Sequence, residues 1–260
     1  MSSSDLVYPS VVGTIVRDPV YSAFVGRELG ADILEIRFDL ILADLMKNGD
    51  EKAAKKEILS LIRKVKETGL FIIGTFRSKK EGGAMDLNAC DLFKWIRFVT
   101  PYVDFIDLEW SSSENKLKKA IEHAQKSCTR VIISSHYFGK MPSQKEMVKM
   151  LSVSQKFGAC VSKIAVTPKD NTDVLKLFEA GARSQKEILK SKSGPANLCL
   201  IAMGEPFQYS RIIAPLFGSV FSYGFITEPA APGQLRVDEI KAGMKSLNLS
   251  SSLLEKEKTC

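Results

Sequence analysis

One lysine stands where an apolar residue is expected. In "CVSKIAVT", Cys160 to Thr167, Lys163 sits among Val161, Ile164, Ala165 and Val166, a run with the composition of a buried strand. An ammonium group is costly to bury without a partner. A lysine amine kept neutral by desolvation and neighbouring cations can attack a ketone or aldehyde and form a Schiff base. The protonated imine then acidifies the adjacent C–H, so a base is needed beside it. His136, at the end of "RVIISSHY", titrates near neutral pH and suits that task. Arg37 and Arg77 end two further β-rich runs and offer bidentate hydrogen bonds to a carboxylate. The plainer alternatives are a buried ion pair of Lys163 with Glu35, Asp107 or Glu109, and a hydrogen-bonded structural role for His136. The second histidine, His123, lies among polar neighbours on a helical segment and reads as a surface residue.

These residues need a scaffold that gathers them. Eight β-rich runs recur along the chain: "SVVGTIV", "DILEIRFD", "LFIIGTFR", "VDFIDLEW", "RVIISSHY", "CVSKIAVT", "NLCLIAMG" and "SVFSYGFI". Most are followed by a stretch with helical periodicity. Residues 50–67 and 113–127 are amphipathic. Pro142–Ser143 opens another helix that Gly158 closes, and Asn171 or Thr172 is placed to cap the next. Strands alternating with helices imply parallel pairing through right-handed crossovers. Eight such units in a chain of 260 residues match a single-domain α/β (β/α)8 barrel over residues 1–260, with about 250–260 as a flexible tail. An open doubly wound sheet is the competing layout. It usually carries a Gly-rich loop after its first strand, and "TIVRDPVYS" has none.

Parity then orders the polar residues. Glu35, Arg37 and Asp39 alternate with Leu34, Ile36 and Phe38, and Asp107 alternates with Glu109 about Leu108. Arg77, His136 and Lys163 share parities with Ile73, Ser134 and Val161 in their own runs. Side chains alternate across a strand, and the outer face of a barrel packs on helices. The polar parity therefore faces the lumen, crowded toward the C-terminal strand ends where barrel active sites lie.

Composition excludes several classes. The chain is 45% hydrophobic and 26% charged, and no apolar run is long enough to span a membrane. "MSSSDLVYPS" lacks the features of a secretory signal. Cys90, Cys128, Cys160, Cys199 and Cys260 are scattered without a CxxC pair, so a disulfide framework or structural zinc is not expected and a reducing cytoplasm is. The net charge of +7 is spread over helices mixed with glutamates, and no nucleic-acid motif accompanies it. An anionic small substrate fits such a protein. No His pair at ligand spacing points to a metal.

Several segments, taken in order, resemble the type I 3-dehydroquinate dehydratases of the shikimate pathway. "EIRFD" is similar to the family's E-x-R-x-D strand and "FRSKKEGG" to its arginine-to-Glu-Gly-Gly loop. "IISSHYF" and "SKIAVTP" resemble the strands carrying the catalytic histidine and the imine-forming lysine. "MGEPFQYSRIIAPLFGS" and "AAPGQL" resemble the closing substrate-binding segments. The resemblance implies a metal-free, cofactor-free syn elimination of water from 3-dehydroquinate. Lys163 would form the imine at C3, and His136 would take the C2 proton and help the C1 hydroxyl leave. Glu81 would orient His136, and Arg211 would bind the substrate carboxylate. Glu35, Arg37, Arg77 and Gln234 would contact the ring hydroxyls or line the pocket. The loops Glu81–Gly83 and Ala231–Gln234, rich in small residues, would act as lids. The family is often dimeric, so a homodimer is the implied assembly. Two positions depart from the pattern: Ala230 replaces a serine, and Phe207 a glycine. Competing readings are a class I Schiff-base aldolase and a non-catalytic barrel binding anionic metabolites.

Overall fold

The eight β-rich runs all form strands: β1 Ser10–Ile15, β2 Ile33–Arg37, β3 Phe71–Thr75, β4 Phe105–Glu109, β5 Arg130–Tyr137, β6 Val161–Val166, β7 Leu198–Ala202 and β8 Phe221–Phe225. The computed structural model describes residues 7–249 apart from 49, 85–88, 140, 193 and 195. The expected flexible tail at about 250–260 therefore lies outside the described residues. Every neighbouring pair is parallel, in the order β7-β6-β5-β4-β3-β2-β1-β8. Leu198 and Ser219 form a parallel bridge that brings the β8 end back to β7. At this seam Leu198 N–H donates to Gly218 O at 3.3 Å and Val220 N–H to Leu198 O at 2.7 Å. Beyond them the partners are side chains. Leu200 N–H donates to Ser219 Oγ at 2.7 Å, and Cys199 Sγ meets Phe221 O at 3.4 Å. The sheet is thus a closed (β/α)8 barrel, and the open doubly wound layout is excluded.

The helices are α1 Pro19–Glu28, α2 Phe38–Asn48, α3 Glu51–Lys66, α4 Ala89–Val99, α5 Glu114–Lys126, α6 Gln144–Lys156, α7 Asn171–Ser191, the single turn α8 Ser210–Ile213, and α9 Val237–Ser246. The sequence boundaries hold well where caps are strong. Asp50 caps α3, and Ser143 with Glu146 forms a capping box on α6, whose chain leaves through Gly158 at φ +98°. Helix α7 is capped instead by Asp170, whose side chain accepts from Asp173 N–H, one residue before the expected cap. The β2 run also ends earlier than alternation suggested. The chain turns into α2 at Phe38, which is fully buried and stacks on Phe76 at 5.3 Å, so Asp39 belongs to the first helical turn. A carboxylate is well placed there by the helix dipole. Among the described residues no helix is long and apolar enough to cross a membrane.

Parity fills the lumen in layers. Val12, Ile33, Ile73, Phe105, Ile132, Val161 and Phe221 form an apolar floor. Below it, the Arg130 guanidinium lies 3.9 Å from the Phe105 ring centroid and 4.9 Å from that of Phe71. Two residues further along β2 to β6 stand Glu35, Thr75, Asp107, Ser134 and Lys163, all buried. The opposite parity packs outward. Leu34, Ile36 and Ile72 meet α3 through Ile58, Ile62 and Val65, while Ile133, Ile164 and Leu200 meet α6 and α7 through Leu151, Leu177 and Phe178. Burying these outer faces holds the barrel wall in register, because a slip of one residue would turn the charged layer into the helix interface.

Candidate active site

A cavity of about 270 Å³ opens at the C-terminal end of the strands. Glu35, Arg37, Arg77, Glu81, His136, Lys163, Arg211 and Gln234 all line it, so the structure brings together every residue that the family resemblance placed in the site. Lys163 is 3% exposed. Its Nζ lies 3.5 Å from Asp107 Oδ2 and 3.6 Å from Glu35 Oε1, and 3.8 Å from the centroid of the Tyr223 ring. The nearest charges are therefore carboxylates, not the arginines expected to surround the amine. Asp107 is fixed through its other oxygen, which accepts from Ser134 Oγ at 2.6 Å and Arg77 Nη2 at 2.9 Å. Burial alone would raise the Asp107 carboxyl, but Arg77 and Lys163 outweigh it and hold the group below the usual carboxylate range. Thr75 Oγ1 donates to Glu35 Oε1 at 2.9 Å.

His136 faces the same cavity from β5. Glu81 reaches it from a short 3-10 turn, Lys79–Glu81, that follows β3. Glu81 Oε2 accepts the His136 backbone N–H at 3.1 Å and lies 2.9 Å from Nδ1. Burial, then the charges of Arg77, Lys163 and Arg37, lower the His136 imidazole well below its ordinary value, so it is neutral at neutral pH. Burial raises the Glu81 carboxyl to about 7, against the opposing charge of Arg77 and with the help of Glu109. An ionised Glu81 accepts the Nδ1 proton and leaves the Nε2 lone pair free. A protonated Glu81 donates to Nδ1 and places the ring proton on Nε2. A neutral ring with a free Nε2 lone pair is thus available only above the Glu81 titration.

The turn that carries Glu81 is possible because of two glycines. Gly82 has φ +84°, and a Cβ on Gly83 would lie 1.8 Å from Arg77 O. Gly233, at φ +70° in the loop after β8, is equally enclosed: a Cβ there would lie 2.2 Å from Gly204 O. In both loops expected to act as lids, the small residues permit close backbone packing.

The arginines divide sharply. Arg37 makes a bidentate pair with Asp39, at 2.8 and 2.7 Å. Arg77 binds Asp107 at 2.9 Å and Glu109 at 3.2 Å, with Glu81 at 3.6 Å and Ser134 Oγ at 3.0 Å. Burial disfavours its cation, yet these acids together raise it above its ordinary value. Among the described residues Arg211, from α8, donates only to backbone carbonyls: Nε to Gly233 O at 2.9 Å and Nη1 to Tyr223 O at 3.2 Å. Among the described residues no carboxylate lies within ion-pair distance of it, and burial pushes it down to about 10. A buried guanidinium without an acid is costly to leave unpaired and has the geometry to take a carboxylate by two hydrogen bonds. Gln234 is also oriented. Its Oε1 accepts from Ala230 N–H at 2.6 Å and Ala231 N–H at 3.3 Å, which turns Nε2 toward Thr14 Oγ1 at 3.4 Å.

Sequence reasoning missed Thr14, Met203 and Tyr223, which also line the cavity. Parity within "SVFSYGFI" carried the signal for Tyr223, since it shares a face with the floor residue Phe221. The two departures from the family pattern have different settings. Phe207 is buried and joins the core beneath the β7 loop, while Gly204, at φ +110°, makes the turn. Ala230 lines the cavity and contributes its N–H to Gln234. His123 lies on the outside of the barrel on α5, its Nε2 2.9 Å from Arg97 O.

Comparison with known proteins agrees with this geometry. The family model described as type I 3-dehydroquinase matches residues 13–251. The 3-dehydroquinate dehydratase of Methanosarcina acetivorans is 38% identical over 244 residues, covering 92% of this chain and 94% of that protein. That of Methanocella arvoryzae is 34% identical over 242 residues, covering 93% and 98%. The crystal structure of the Geobacillus kaustophilus 3-dehydroquinate dehydratase shares the fold with a TM-score of 0.81 at 24% identity, covering 93% of this chain and 91% of its own. The type I enzyme of Clostridium difficile, solved with covalently modified comenic acid, superposes with a TM-score of 0.80 at 27% identity, covering 92% of each chain. With a match across nearly the whole barrel, this chain belongs to the type I 3-dehydroquinase family.

Proposed function

We propose that the chain dehydrates 3-dehydroquinate to 3-dehydroshikimate through an imine on Lys163. The observation that carries this reading is the convergence on one cavity of a buried amine and an imidazole held by a carboxylate, with a buried guanidinium that has no acid of its own. Arg211 takes the substrate carboxylate, which places the ring against Lys163. The lysine nitrogen attacks C3, a C–N bond forms, and the carbonyl oxygen leaves as water. The iminium draws electrons from C2, and His136 Nε2 removes a C2 proton to give the enamine. His136, now protonated, returns that proton to the C1 hydroxyl, which departs as water on the same face. Glu81 holds the ring through Nδ1 and stabilises the imidazolium formed between the two steps. Hydrolysis of the product imine frees Lys163. Glu35, Arg37, Arg77 and Gln234 line the cavity around the ring hydroxyls. That the Clostridium difficile type I enzyme was solved with covalently modified comenic acid supports covalent chemistry in this reading.

Borohydride reduction in the presence of 3-dehydroquinate, followed by peptide mass spectrometry, tests the covalent step. The expected result is a substrate-derived adduct on the peptide containing Lys163. Turnover with Lys163 unmodified would overturn the proposal.

A further inference from the structure

The Glu81–His136 pair has a third member that comes from a different strand end. Glu81 Oε2 is occupied by His136, through both the backbone N–H and the ring. Its other oxygen, Oε1, accepts from Ser111 Oγ at 2.7 Å. Ser111 belongs to the loop between β4 and α5, and its place is fixed by the chain on either side. Trp110 N–H continues the ladder to Ser134 O at 2.8 Å, and the Trp110 ring meets Phe157 edge-on at 5.9 Å. Ser112 N–H closes a turn onto Glu109 O at 3.1 Å. Ser113 then precedes α5, with Lys116 and Leu117 N–H donating to its carbonyl. Of three consecutive serines, the hydroxyl of Ser111 is the one delivered to the carboxylate.

We infer that Ser111 is a positioning residue for this chemistry, gripping Glu81 by one oxygen so that the other stays aimed at His136 Nδ1. The inference rests on the function proposed above. A carboxylate held at one oxygen only can rotate about its Cγ–Cδ bond, and each rotation releases the imidazole. The grip also favours the ionised form, because a hydroxyl donating to a carboxylate stabilises its charge. The other charged groups around Glu81 do not duplicate it. Arg77, from the end of β3, stands 3.6 Å from Oε2, not Oε1. Glu109 and Asp107 on β4 repel the carboxylate, and Lys79 and Lys80, on the same turn, are exposed while Glu81 is buried. His136 on β5 is neutral when it serves as base. Ser111, at Oε1, is therefore a neutral donor that works against the charges of Glu109 and Asp107.

Turnover of Ser111→Ala, Ser111→Thr, Ser112→Ala and the unaltered chain, measured as kcat between about pH 6 and 9, tests this. The unaltered chain should gain activity as pH rises through about 7, where Glu81 ionises, and Glu81→Gln should lack that limb. Ser111→Ala should move the limb upward by as much as about one unit, a loss of about fivefold at neutral pH that vanishes by about pH 9. Ser111→Thr retains the hydroxyl and should restore the profile, while Ser112→Ala should match the unaltered chain. A loss in Ser111→Ala that is equal at every pH would mark a merely structural effect and overturn the inference. So would an unmoved limb, or an unaltered profile with no limb dependent on Glu81. Borohydride trapping in Ser111→Ala separates the two levels. A Lys163 adduct with an unmoved limb refutes only the role of Ser111, whereas turnover without an adduct in the unaltered chain refutes the imine reading.

Discussion

Arg77 and Arg211 are both buried guanidinium groups on the wall of one cavity, 4% and 3% exposed, yet their surroundings are opposite. Around Arg77 the β2-to-β5 wall supplies Asp107, Glu109 and Glu81, with Glu35 nearby, and the cation is fully matched. Around Arg211 the β7-to-β8 wall supplies two backbone carbonyls and no acid among the described residues. A cation paired inside the protein is a structural tie. A cation held in position by carbonyls, without neutralisation, keeps its charge for a ligand. Under the proposed function, the chemistry and its support fall to one wall and anion binding to the other. This division also explains why two residues of the same type cannot exchange roles.

Four substitutions break or sharpen that contrast. His136→Ala removes the base from the acid-rich wall, and turnover should fall about 10³-fold or more, within the range for loss of a general base. The Lys163 adduct should still be trapped by borohydride, since the amine is intact; loss of both would place His136 in imine formation too. Arg77→Met strands Asp107 and Glu109 without their cation. Breaking a buried pair from one side costs about 3–5 kcal/mol, so the urea midpoint should drop by that equivalent. Arg211→Ala should instead lower kcat/KM about 100-fold, chiefly through KM, because a charged partner of the ligand is lost. Its denaturation midpoint should move far less than that of Arg77→Met. A stability loss for Arg211→Ala as large as for Arg77→Met would erase the distinction. Ala230→Ser adds one hydroxyl to the anion-binding wall and should change kcat/KM by no more than a few-fold. A large loss would mean that the Ala230 N–H bond to Gln234 Oε1 is the feature the site depends on.

Much of this was legible in the residues, because strand alternation is a strict geometric rule. It placed Glu35, Arg77, His136 and Lys163 on one face without any contact being known, and the eight runs gave the eight strands. Alternation fails where the backbone stops being a strand, and nothing in "EIRFD" marks that point. Asp39, expected on the strand face with Arg37, instead pairs with it from α2. The whole of α2, which begins there, was hidden for the same reason, whereas α3 was legible as residues 50–67. Which arginine carries an acid was also invisible, since Asp107 and Glu109 come from another strand than Arg77, and Arg211 is defined by what does not approach it. Ser111 had no signal at all. Its role depends on a turn at Glu109–Ser112, and no periodicity governs loops. The family resemblance supplied Glu81, Arg211 and Gln234, and the structure supplies the hydrogen bonds that orient them.

The closure between β7 and β8 has a consequence for how the cavity is entered. Among the described residues only Leu198, through Gly218 and Val220, carries backbone ladder bonds across that junction, and Ser219 Oγ and Cys199 Sγ stand in beyond it. A staved vessel gives first where one hoop is missing. Arg211 and Gln234 flank this joint, while Lys163 and His136 sit on staves fastened along their length. Transient parting here would widen the cavity beside Arg211 and leave Lys163 and His136 undisturbed. Amide deuterium uptake at Leu200 should accordingly outpace that at Ile164, its neighbour across a complete ladder.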